Sequence, residues 1–292
     1  MILITGAGGF IGPHLVRRLL PTHKLRCLVR PGSPHIQKIP PGCEIVEADI
    51  RDTLHVQKAL QDIDTVIHLA ARLRTSSAAE IKDVNIRGTQ ILVHAAKYAG
   101  AKHFIFLSSE NAGRLDLCDA YARSKREAET LVRSFPHHLI LRPCFVFGPG
   151  DGHGLGRLVN TATRGPIVPL FGKLESKIQP IFVDDLVEVL VHAVDKLLQG
   201  TFTVAGCDTL SLNDFLKEVC RAKREKKIFV TVPFPLIKLL SLLGKVVGPR
   251  FGWGPDQMQN VYHSKTYSID SAVEAFGYKP RPLREGLNQW FR

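Results

Sequence analysis

Short apolar runs alternate with amphipathic helical patterns over residues 1–142. The helical patterns include FIGPHLVRRLL, a long segment from Ala79 to Ala99 and another from Ala120 to Ser134. This alternation predicts successive βαβ units in a doubly wound α/β fold with a parallel sheet. Runs such as HFIFL and TVIHLA are apolar almost throughout, which indicates strands buried on both faces. The apolar runs are ILIT, KLRCLVR, CEIVEA, DTVIHLA, HFIFLSS and HLILR.

The pattern changes after Arg142, where RPCFVFGPGDGHGLG is dense in Gly and Pro and predicts a loop that leaves the sheet. The segment Gln179–Lys196 and the run GTFTVAG predict one further strand, helix and strand that return to it. We therefore predict a nucleotide-binding domain of residues 1–143 with 179–205. Residues 144–178 and 206–292 form a smaller, split α/β substrate-binding domain.

Charge and composition add little about partners. The chain has 292 residues, 45% of them hydrophobic, which is sufficient for a sizeable core, and a formal net charge of +12 that favours an anionic partner. The densest basic run, Arg221–Lys227 (RAKREKK), has no interleaved aromatic residue. We interpret it as a solvated helix end and do not predict nucleic-acid binding.

Cysteine usage and the first residues indicate a cytoplasmic protein. The six cysteines contain no CxxC pair, which argues against a zinc site and against a disulfide-linked secreted scaffold, and no metal site is predicted. The start, MILITGAGGFIG, has neither a charged segment nor an extended apolar segment of the signal-peptide type. We expect a reducing compartment.

A glycine turn follows the first predicted strand and opens the first helix. Gly6, Gly9 and Gly12 in TGAGGFIG permit a sharp turn, close approach of a pyrophosphate to the backbone, and packing of helix on strand. The helix N-terminus attracts the negative charge of the pyrophosphate. This arrangement predicts a Rossmann-type NAD(P) site.

The second strand ends in Arg30 and carries no acidic residue for the adenosine ribose of NAD. A guanidinium suits a 2′-phosphate, so NADP is favoured over NAD; the alternative is that Arg30 only caps an exposed strand end. Asp49 is predicted to meet the adenine amino group. Further predicted cofactor contacts are Phe10, Ile11, Ile50, Leu69, Ala70 and Ala71.

Catalytic candidates stand at the ends of later elements. Tyr121 and Lys125 lie four residues apart on a predicted helix, so their side chains share one face. A neighbouring ammonium favours the phenolate of Tyr121, which is otherwise a poor base at neutral pH. Ser109 ends the strand HFIFLSS and would bind the substrate oxygen while hydride passes to or from the nicotinamide. Asn85, on the predicted long helix, is expected to bond to the backbone and to position Lys125 through water.

Other polar residues receive structural interpretations. His68 lies in an apolar strand and is predicted to be a hydrogen-bonded core residue. Asp184 and Asp185 precede LVEVLVHAV, where helix N-capping is the favoured interpretation.

Motifs along nearly the whole chain resemble the extended short-chain dehydrogenase/reductase superfamily, in its NAD(P)-dependent epimerase/dehydratase group. The resemblance implies that Ser109, Tyr121 and Lys125 form the family triad, with Asn85 as a fourth member. It also implies a tendency to form homodimers through the long helices. The motifs are ITGAGGFIG, ADIRD, HLAA, VNIRGT, FIFLSS, YARSK, LRPCFVFGPG, PIFVDD and SIDSAVEAFGYKP.

A second set of motifs is similar to the atypical group that includes the NAD(P)-binding accessory subunit of respiratory complex I. These motifs are LVR after the second strand, FGPGDG, PIVPLFG and GPDQMQNVYHSKTYSID. The family resemblance further implies that Pro143 and Val146 pack near the nicotinamide. Two departures argue against a sugar-nucleotide substrate: eleven residues, Glu110–Ala120, separate Ser109 from Tyr121, and ENAG replaces the usual VYG after the serine strand. Dehydration is also disfavoured, because Ser109-Glu110-Asn111 stands in place of the Thr-Asp-Glu of 4,6-dehydratases.

The segment Pro233–Gly248 carries leucines at helical spacing with interrupting lysines and is too short and charged to span a membrane. A helix within the substrate domain is the favoured interpretation; the alternatives are peripheral membrane contact or a lining for an apolar, isoprenoid or quinone-like substrate. Two functions stay open: an NAD(P)-dependent oxidoreductase or epimerase acting on a secondary alcohol or ketone, including a nucleotide sugar, or a non-catalytic NADP(H)-binding accessory protein.

Overall fold

A computed structural model of the chain describes residues 1–73, 77–116, 119–152, 154–172, 176–233 and 266–292. Its backbone divides into two compact units. The first unit comprises Met1–Pro143, Leu186–Val204 and Ile269–Tyr278, and the second comprises Cys144–Asp185, Ala205–Ser268 and Lys279–Arg292.

A seven-stranded parallel sheet forms the centre of the described part of the first unit. Its strands are β1 (Ile2–Thr5), β2 (Leu25–Val29), β3 (Glu44–Glu47), β4 (Thr65–His68), β5 (His103–Leu107), β6 (His138–Pro143) and β11 (Gly200–Val204). Their spatial order is β11-β6-β5-β4-β1-β2-β3. The order reverses between β1 and β4, and ligands of such sheets bind at the carboxyl ends of the strands near this point.

Helices surround this sheet, as the periodicity predicts. They are α1 (Gly12–Leu19), α2 (Thr53–Ala59), α3 (Ala78–Lys82), α4 (Gly88–Tyr98), α5 (Ala120–Arg133), most of α7 (Val183–Lys196) and α9 (Asp270–Phe276). A π-helical segment, Asp83–Arg87, joins α3 to α4, so the predicted long helix has its predicted extent but an irregular middle.

The core of the first unit consists of apolar side chains from the strands and the helices on them. β1, β4 and β5 are buried along their whole length, as their unbroken apolar sequences predict. Phe104 and Phe106 are fully buried beside the ring of His68. The polar carboxyl ends of these strands therefore rest on a rigid base.

The second unit contains short strands in pairs and three described helices. The strands are β7 (Val146–Phe147), β8 (Ile167–Phe171), β9 (Lys177–Ile178), β10 (Ile181–Phe182), β12 (Leu210–Ser211) and β13 (Ile228–Val232). β10 pairs with β7 and β13 with β8 in parallel, whereas β12 and β9 are antiparallel. The helices are α6 (Gly154–Ala162), α8 (Leu212–Ala222) and α10 (Leu283–Trp290).

The units differ from the predicted domains in two places. β10, expected in the central sheet, pairs with β7, so residues up to Asp185 group with the second unit. Ile269–Tyr278 groups with the first unit, because Phe276 of α9 packs edge-on against Phe202 of β11 with ring centroids 5.1 Å apart. β11 itself joins the sheet beside β6, as predicted.

Candidate active site

The glycine turn between β1 and α1 is sterically restricted to residues without a side chain. Gly6 has a φ of +75°, and a Cβ there would lie 2.6 Å from the Ala70 backbone nitrogen. A Cβ at Gly12 would lie 2.2 Å from the Ala7 carbonyl oxygen. Gly9 is exposed, and its N–H donates to the Gly6 carbonyl at 2.9 Å. The turn thus presents backbone rather than side chains to a ligand.

The start of α1 suits the negative charge of a dinucleotide. No side chain caps this helix at Ile11, its first turn contains Pro13, and it carries no acidic residue there. Backbone N–H groups at a helix start bear partial positive charge and bind phosphate. The glycine cradle and the helix start therefore fit a pyrophosphate, with Phe10 and Ile11 half-buried between them.

Two residues predicted to contact the adenosine are Arg30 and Asp49, and Asp49 already has a partner in Arg51. Arg30 is exposed directly after β2. The Asp49 carboxylate accepts hydrogen bonds from the backbone N–H of Arg51 at 2.9 Å and from its guanidinium at 2.8 and 2.7 Å. These bonds hold the pKa of Asp49 below its usual value. The sequence interpretation missed Arg51, and contact of Asp49 with adenine stays a prediction.

Ile50 lies beside the adenosine candidates and packs under α4. It is buried, and a Cβ at Gly88 would lie 2.7 Å from its Cγ2 atom. Leu69, Ala70 and Ala71 follow β4 and are half-buried. Their contact with a cofactor stays a prediction. The close approach of the Ala70 backbone to position 6 explains the glycine at that position.

A buried chain of hydrogen bonds links the ends of β1 and β4 to the π-helical segment. Thr5 Oγ1 lies 2.7 Å from His68 Nδ1, and His68 Nε2 lies 3.0 Å from Thr89 Oγ1. The Thr89 hydroxyl donates to the Asn85 carbonyl at 2.6 Å. Because that hydroxyl has one hydrogen, His68 must donate from Nε2, and a neutral ring then accepts from Thr5 at Nδ1.

His68 is therefore a neutral core residue, as predicted. It is 1% exposed. Burial, assisted by the charge of Lys125, lowers the pKa of His68 to about 3.

Asn85 fixes the middle of the π-helical segment. Its Nδ2 donates to the Arg72 carbonyl at 3.0 Å and to Ser124 Oγ at 2.9 Å, and its Oδ1 accepts from the Arg72 N–H at 2.6 Å. The predicted bonding to backbone is confirmed, while a water link to Lys125 stays a prediction. Single turns of π-helix are frequent at functional sites.

Ser109 follows β5 and is tied to the residue after it. Its hydroxyl donates to Glu110 Oε2 at 3.0 Å and accepts from the Asn111 N–H at 3.3 Å. Ser109 and Glu110 are 7% and 6% exposed. A buried carboxylate beside the candidate serine was missed, although Glu110 stands in the sequence where the family pattern differs.

Lys125 reaches the same strand end from α5. Its Nζ donates to the Leu107 carbonyl at 2.7 Å, two residues before Ser109, and lies 4.6 Å from the centroid of the Phe106 ring. Burial lowers the pKa of Lys125 to about 7, against the opposing charge of Glu129. Tyr121 is half-buried one turn earlier on this helix.

The helix α5 is also anchored to the turn after Ser109. Arg126 donates to the carbonyls of Ala112 and Arg114 at 3.2 and 2.7 Å. A second anchor, also missed, is Glu129, whose buried carboxylate binds Ser108, Arg133 and Arg142. Ser108 and Arg142 are distant from Glu129 in sequence, so no local pattern predicts this anchor.

The remaining site candidates are Pro143 and Val146. Pro143 is buried at the end of β6, and Val146 belongs to β7, where it pairs with Ile181. Packing of either residue near the nicotinamide stays a prediction.

The acidic pair lies inside the first turn of α7 and not before the helix, where the capping prediction places it. α7 begins at Val183, and both carboxylates belong to its first turn. Asp185 accepts from Arg281 Nε at 2.7 Å, and Asp184 accepts from Gln289 Nε2 at 2.9 Å. Side chains distant in sequence thus determine their roles.

Two other predictions concern the basic run and the segment Pro233–Gly248. The basic run Arg221–Lys227 lies at the end of α8, whose last residue is Ala222, as predicted. Lys227, however, is not fully solvated, because its ammonium donates to the Thr163 and Gly165 carbonyls at 3.0 and 2.8 Å. The predicted amphipathic helix of Pro233–Gly248 lies, after Pro233, outside the described residues.

Within the described ranges, no helix combines the length and apolarity needed to cross a bilayer. The same residues contain no group of three or more His, Cys, Asp or Glu side chains able to hold a metal ion. Peripheral membrane contact and a homodimer stay predictions.

Curated proteins similar to this chain act on different alcohols. A UDP-glucose 4-epimerase of Vibrio cholerae is 27% identical, over 99% of this chain and 93% of its own length. A 3 beta-hydroxysteroid dehydrogenase/Delta 5→4-isomerase of Mycobacterium tuberculosis is 24% identical, over 96% of this chain and 86% of its own.

Solved structures share the fold over the whole chain. The UDP-glucose 4-epimerase of Thermotoga maritima, crystallised with UDP-glucose, superposes with a TM-score of 0.80 at 22% identity, covering 99% of this chain and 97% of that one. This likeness supports the Rossmann-type fold.

Residues 2–205 match the NAD dependent epimerase/dehydratase family. The match confirms the predicted resemblance to this group and the prediction of an NAD(P)-dependent enzyme. The choice of NADP over NAD and the closer similarity to the complex I subunit stay predictions. The chain belongs to the NAD dependent epimerase/dehydratase family.

Proposed function

We propose that this protein is an NAD(P)-dependent oxidoreductase or epimerase in which Ser109, Tyr121 and Lys125 act on a secondary alcohol or ketone. The observation that carries the proposal is the buried Lys125 ammonium, bound to the Leu107 carbonyl at 2.7 Å. An ammonium that is 3% exposed is costly to bury, and the cost is understandable where the charge serves a reaction.

Each member of the triad has a separate task. When bound, the nicotinamide supplies or accepts the hydride. Tyr121 takes or gives the proton of the substrate oxygen, and the charge of Lys125 favours the phenolate that this requires. Ser109 holds the substrate oxygen. In the structure its hydroxyl hydrogen is directed to Glu110 at 3.0 Å, so holding the substrate oxygen requires this O–H to turn from Glu110 to the substrate, whose own hydroxyl hydrogen goes to Tyr121.

We propose NADP as the preferred cofactor. Arg30 is exposed after β2, so its guanidinium is accessible to a 2′-phosphate. Glu47 holds the backbone of the loop after Arg30, since its carboxylate accepts a hydrogen bond from the Gly32 N–H at 3.2 Å.

The proposed substrate is a small molecule with a secondary hydroxyl or the corresponding ketone. The names of the relatives define two chemical classes to test, a UDP-hexose and a 3β-hydroxysteroid. An isoprenoid or quinone-like compound is a third class.

Tyr121→Phe tests the proposal. We expect turnover with the best substrate of a panel from these classes to fall at least about 100-fold, because the proton-transferring hydroxyl is lost. Dinucleotide affinity should change little. Hydride transfer is followed by nicotinamide absorbance and cofactor affinity by calorimetry. Tyr98→Phe, a change at a residue 89% exposed at the end of α4, is the matched control.

The accessory-protein alternative gives a different result. A protein that binds NADP(H) saturably but transfers no hydride with any member of the panel would have a binding role only. Unaltered turnover in Tyr121→Phe would likewise contradict the proposed triad.

A further inference from the structure

A fully buried carboxylate lies one helical turn beyond Lys125 on α5. Glu129 is 0% exposed, and its Oε1 accepts from Ser108 Oγ at 2.6 Å and from Arg142 Nε at 2.8 Å. Its Oε2 accepts from the Arg142 guanidinium at 2.6 Å and from Arg133 at 2.8 Å. The carboxylate therefore joins the catalytic helix to the ends of β5 and β6.

This cluster keeps a negative charge inside the protein. Burial opposes ionisation of Glu129, but the hydrogen bonds from Arg142 and Ser108 outweigh it and hold the pKa of Glu129 below its usual value. Bidentate arginine bonds to carboxylate are strong and directional. Glu129 is thus ionised at neutral pH and held in one position.

We propose that Glu129 is a positioning residue for the reaction, which fixes α5 against the ends of β5 and β6 and supplies the negative charge that keeps Lys125 protonated beside Tyr121. The role rests on the proposed function of Tyr121 and Lys125. Residues four apart on a helix are neighbours, so the charge of Glu129 acts on Lys125 at short range.

Arg142 and Arg133 offset part of the Glu129 charge, and the remainder acts on Lys125. From β5, Lys125 meets the Leu107 carbonyl and the Phe106 ring. From β4 it faces His68, which burial keeps neutral. On α5 its neighbours are Tyr121 and Glu129, and Glu129 raises the pKa of Lys125 against the effect of burial. Removing that charge must lower the pKa of Lys125 further below its usual value.

Glu129→Gln tests this link by two measurements. The first is the titration of Lys125 Nζ by NMR of 15N-lysine-labelled protein, assigned with Lys125→Arg. We expect the midpoint, about 7 in the unaltered protein, to fall by about one unit or more. The second is the pH dependence of kcat/KM, whose alkaline limb should move to lower pH with the titration, because activity is lost as Lys125 loses its proton.

Controls separate charge from structure. Glu127→Gln makes the same change on the exposed face of α5 and should alter neither measurement. Glu129→Asp keeps the charge and should keep the Lys125 midpoint. If Glu129→Gln does not fold, the double change Glu129→Gln with Arg142→Gln removes the buried carboxylate and its half-buried partner and so avoids an unpaired Arg142. The midpoint should still fall, but by less than in Glu129→Gln, because a positive charge is lost as well.

The outcomes distinguish this role from the proposed function. A folded Glu129→Gln protein whose Lys125 midpoint and alkaline limb are unchanged overturns the role of Glu129, even if Tyr121→Phe is inactive. A lowered midpoint in a protein that transfers no hydride supports the electrostatic link but overturns the proposed function.

Discussion

At the scale of single residues, the site depends on groups whose chemistry is set by what surrounds them. Gly6 and Gly100 have nearly the same φ, +75° and +76°, yet only Gly6 has the backbone of another strand within reach of a Cβ. Likewise Lys125 and Lys102 are both lysines near carboxylates, but Lys102 lies in solvent and Lys125 is buried. Local sequence identifies the residue type, and packing determines its role.

Arg30→Ala tests the proposed cofactor choice at this scale. A hydrogen bond to a charged group contributes about 1.5–3 kcal/mol, so we expect NADPH affinity to fall about tenfold or more. NADH affinity should change much less, since NADH has no 2′-phosphate. The two dissociation constants are measured by fluorescence titration of the reduced dinucleotides.

Arg17→Ala, at an exposed position of α1, removes the same charge from the same unit and controls for net charge. Equal losses for NADPH and NADH in Arg30→Ala would refute a contact with the 2′-phosphate.

At the scale of elements, the chain from Thr5 through His68 and Thr89 to Asn85 ties β1, β4 and the π-helical segment together. Each hydrogen bond in it is buried, and the single hydrogen of the Thr89 hydroxyl together with a neutral His68 ring determines the direction of each. Since Asn85 also binds Ser124 on α5, the end of β1 and the helix that carries Tyr121 and Lys125 share one polar network.

Thr89→Val tests that network. Valine preserves the shape but leaves the His68 Nε2–H and the Asn85 carbonyl without their partner. We expect a loss of about 1–3 kcal/mol in the free energy of unfolding, measured with urea. Thr130→Val is the matched control, because Thr130 makes the same kind of bond to the carbonyl four residues earlier but is exposed. Its effect should stay within about 0.5 kcal/mol.

Comparable losses in Thr89→Val and Thr130→Val would mean that the chain adds no stability beyond an ordinary side-chain hydrogen bond.

The sequence could predict some of these elements and not others. Unbroken apolar runs and the glycine turn locate β1, β4, β5 and α1, because burial and backbone freedom act locally. The π-helical segment could not be predicted, since it depends on Asn85 reaching Arg72 and Ser124. Glu129 on α5 was missed for the same reason: its partner Arg142 lies on another element.

At the scale of the whole molecule, chain order determines the first unit well and the second poorly. The parallel sheet and the return of β11 follow from alternating strand and helix patterns. By contrast, β7 and β10 are two residues long, too short for a periodic signal. The contact of Phe276 with Phe202 joins segments far apart in sequence, so it left no local pattern.

The stability of the molecule should fall on mild acidification, and His68 provides the clearest cause. Its pKa is about 3 in the folded protein against 6.5 for an ordinary histidine. Below pH 6.5 the histidine of the unfolded chain binds a proton, whereas His68 of the folded protein stays neutral down to about pH 3. The free energy of unfolding therefore falls as pH decreases from 6.5 to about 3. The full loss is about 5 kcal/mol. The lowered pKa of buried His103 and, below pH 4.5, that of Glu129 act in the same direction.

Urea unfolding at a series of pH values from 7 to 4 measures this dependence. His68→Gln should be less stable at pH 7, because the buried hydrogen bonds are disturbed. The slope of its free energy of unfolding against pH should, however, be smaller than in the unaltered protein, by up to the slope that uptake of one proton produces. His94→Gln changes an exposed histidine of α4 and controls for the substitution. An undiminished pH slope in His68→Gln would mean that the buried imidazole is not the group that opposes protonation. The polar network beneath the glycine turn would then lose its proposed dependence on a neutral His68.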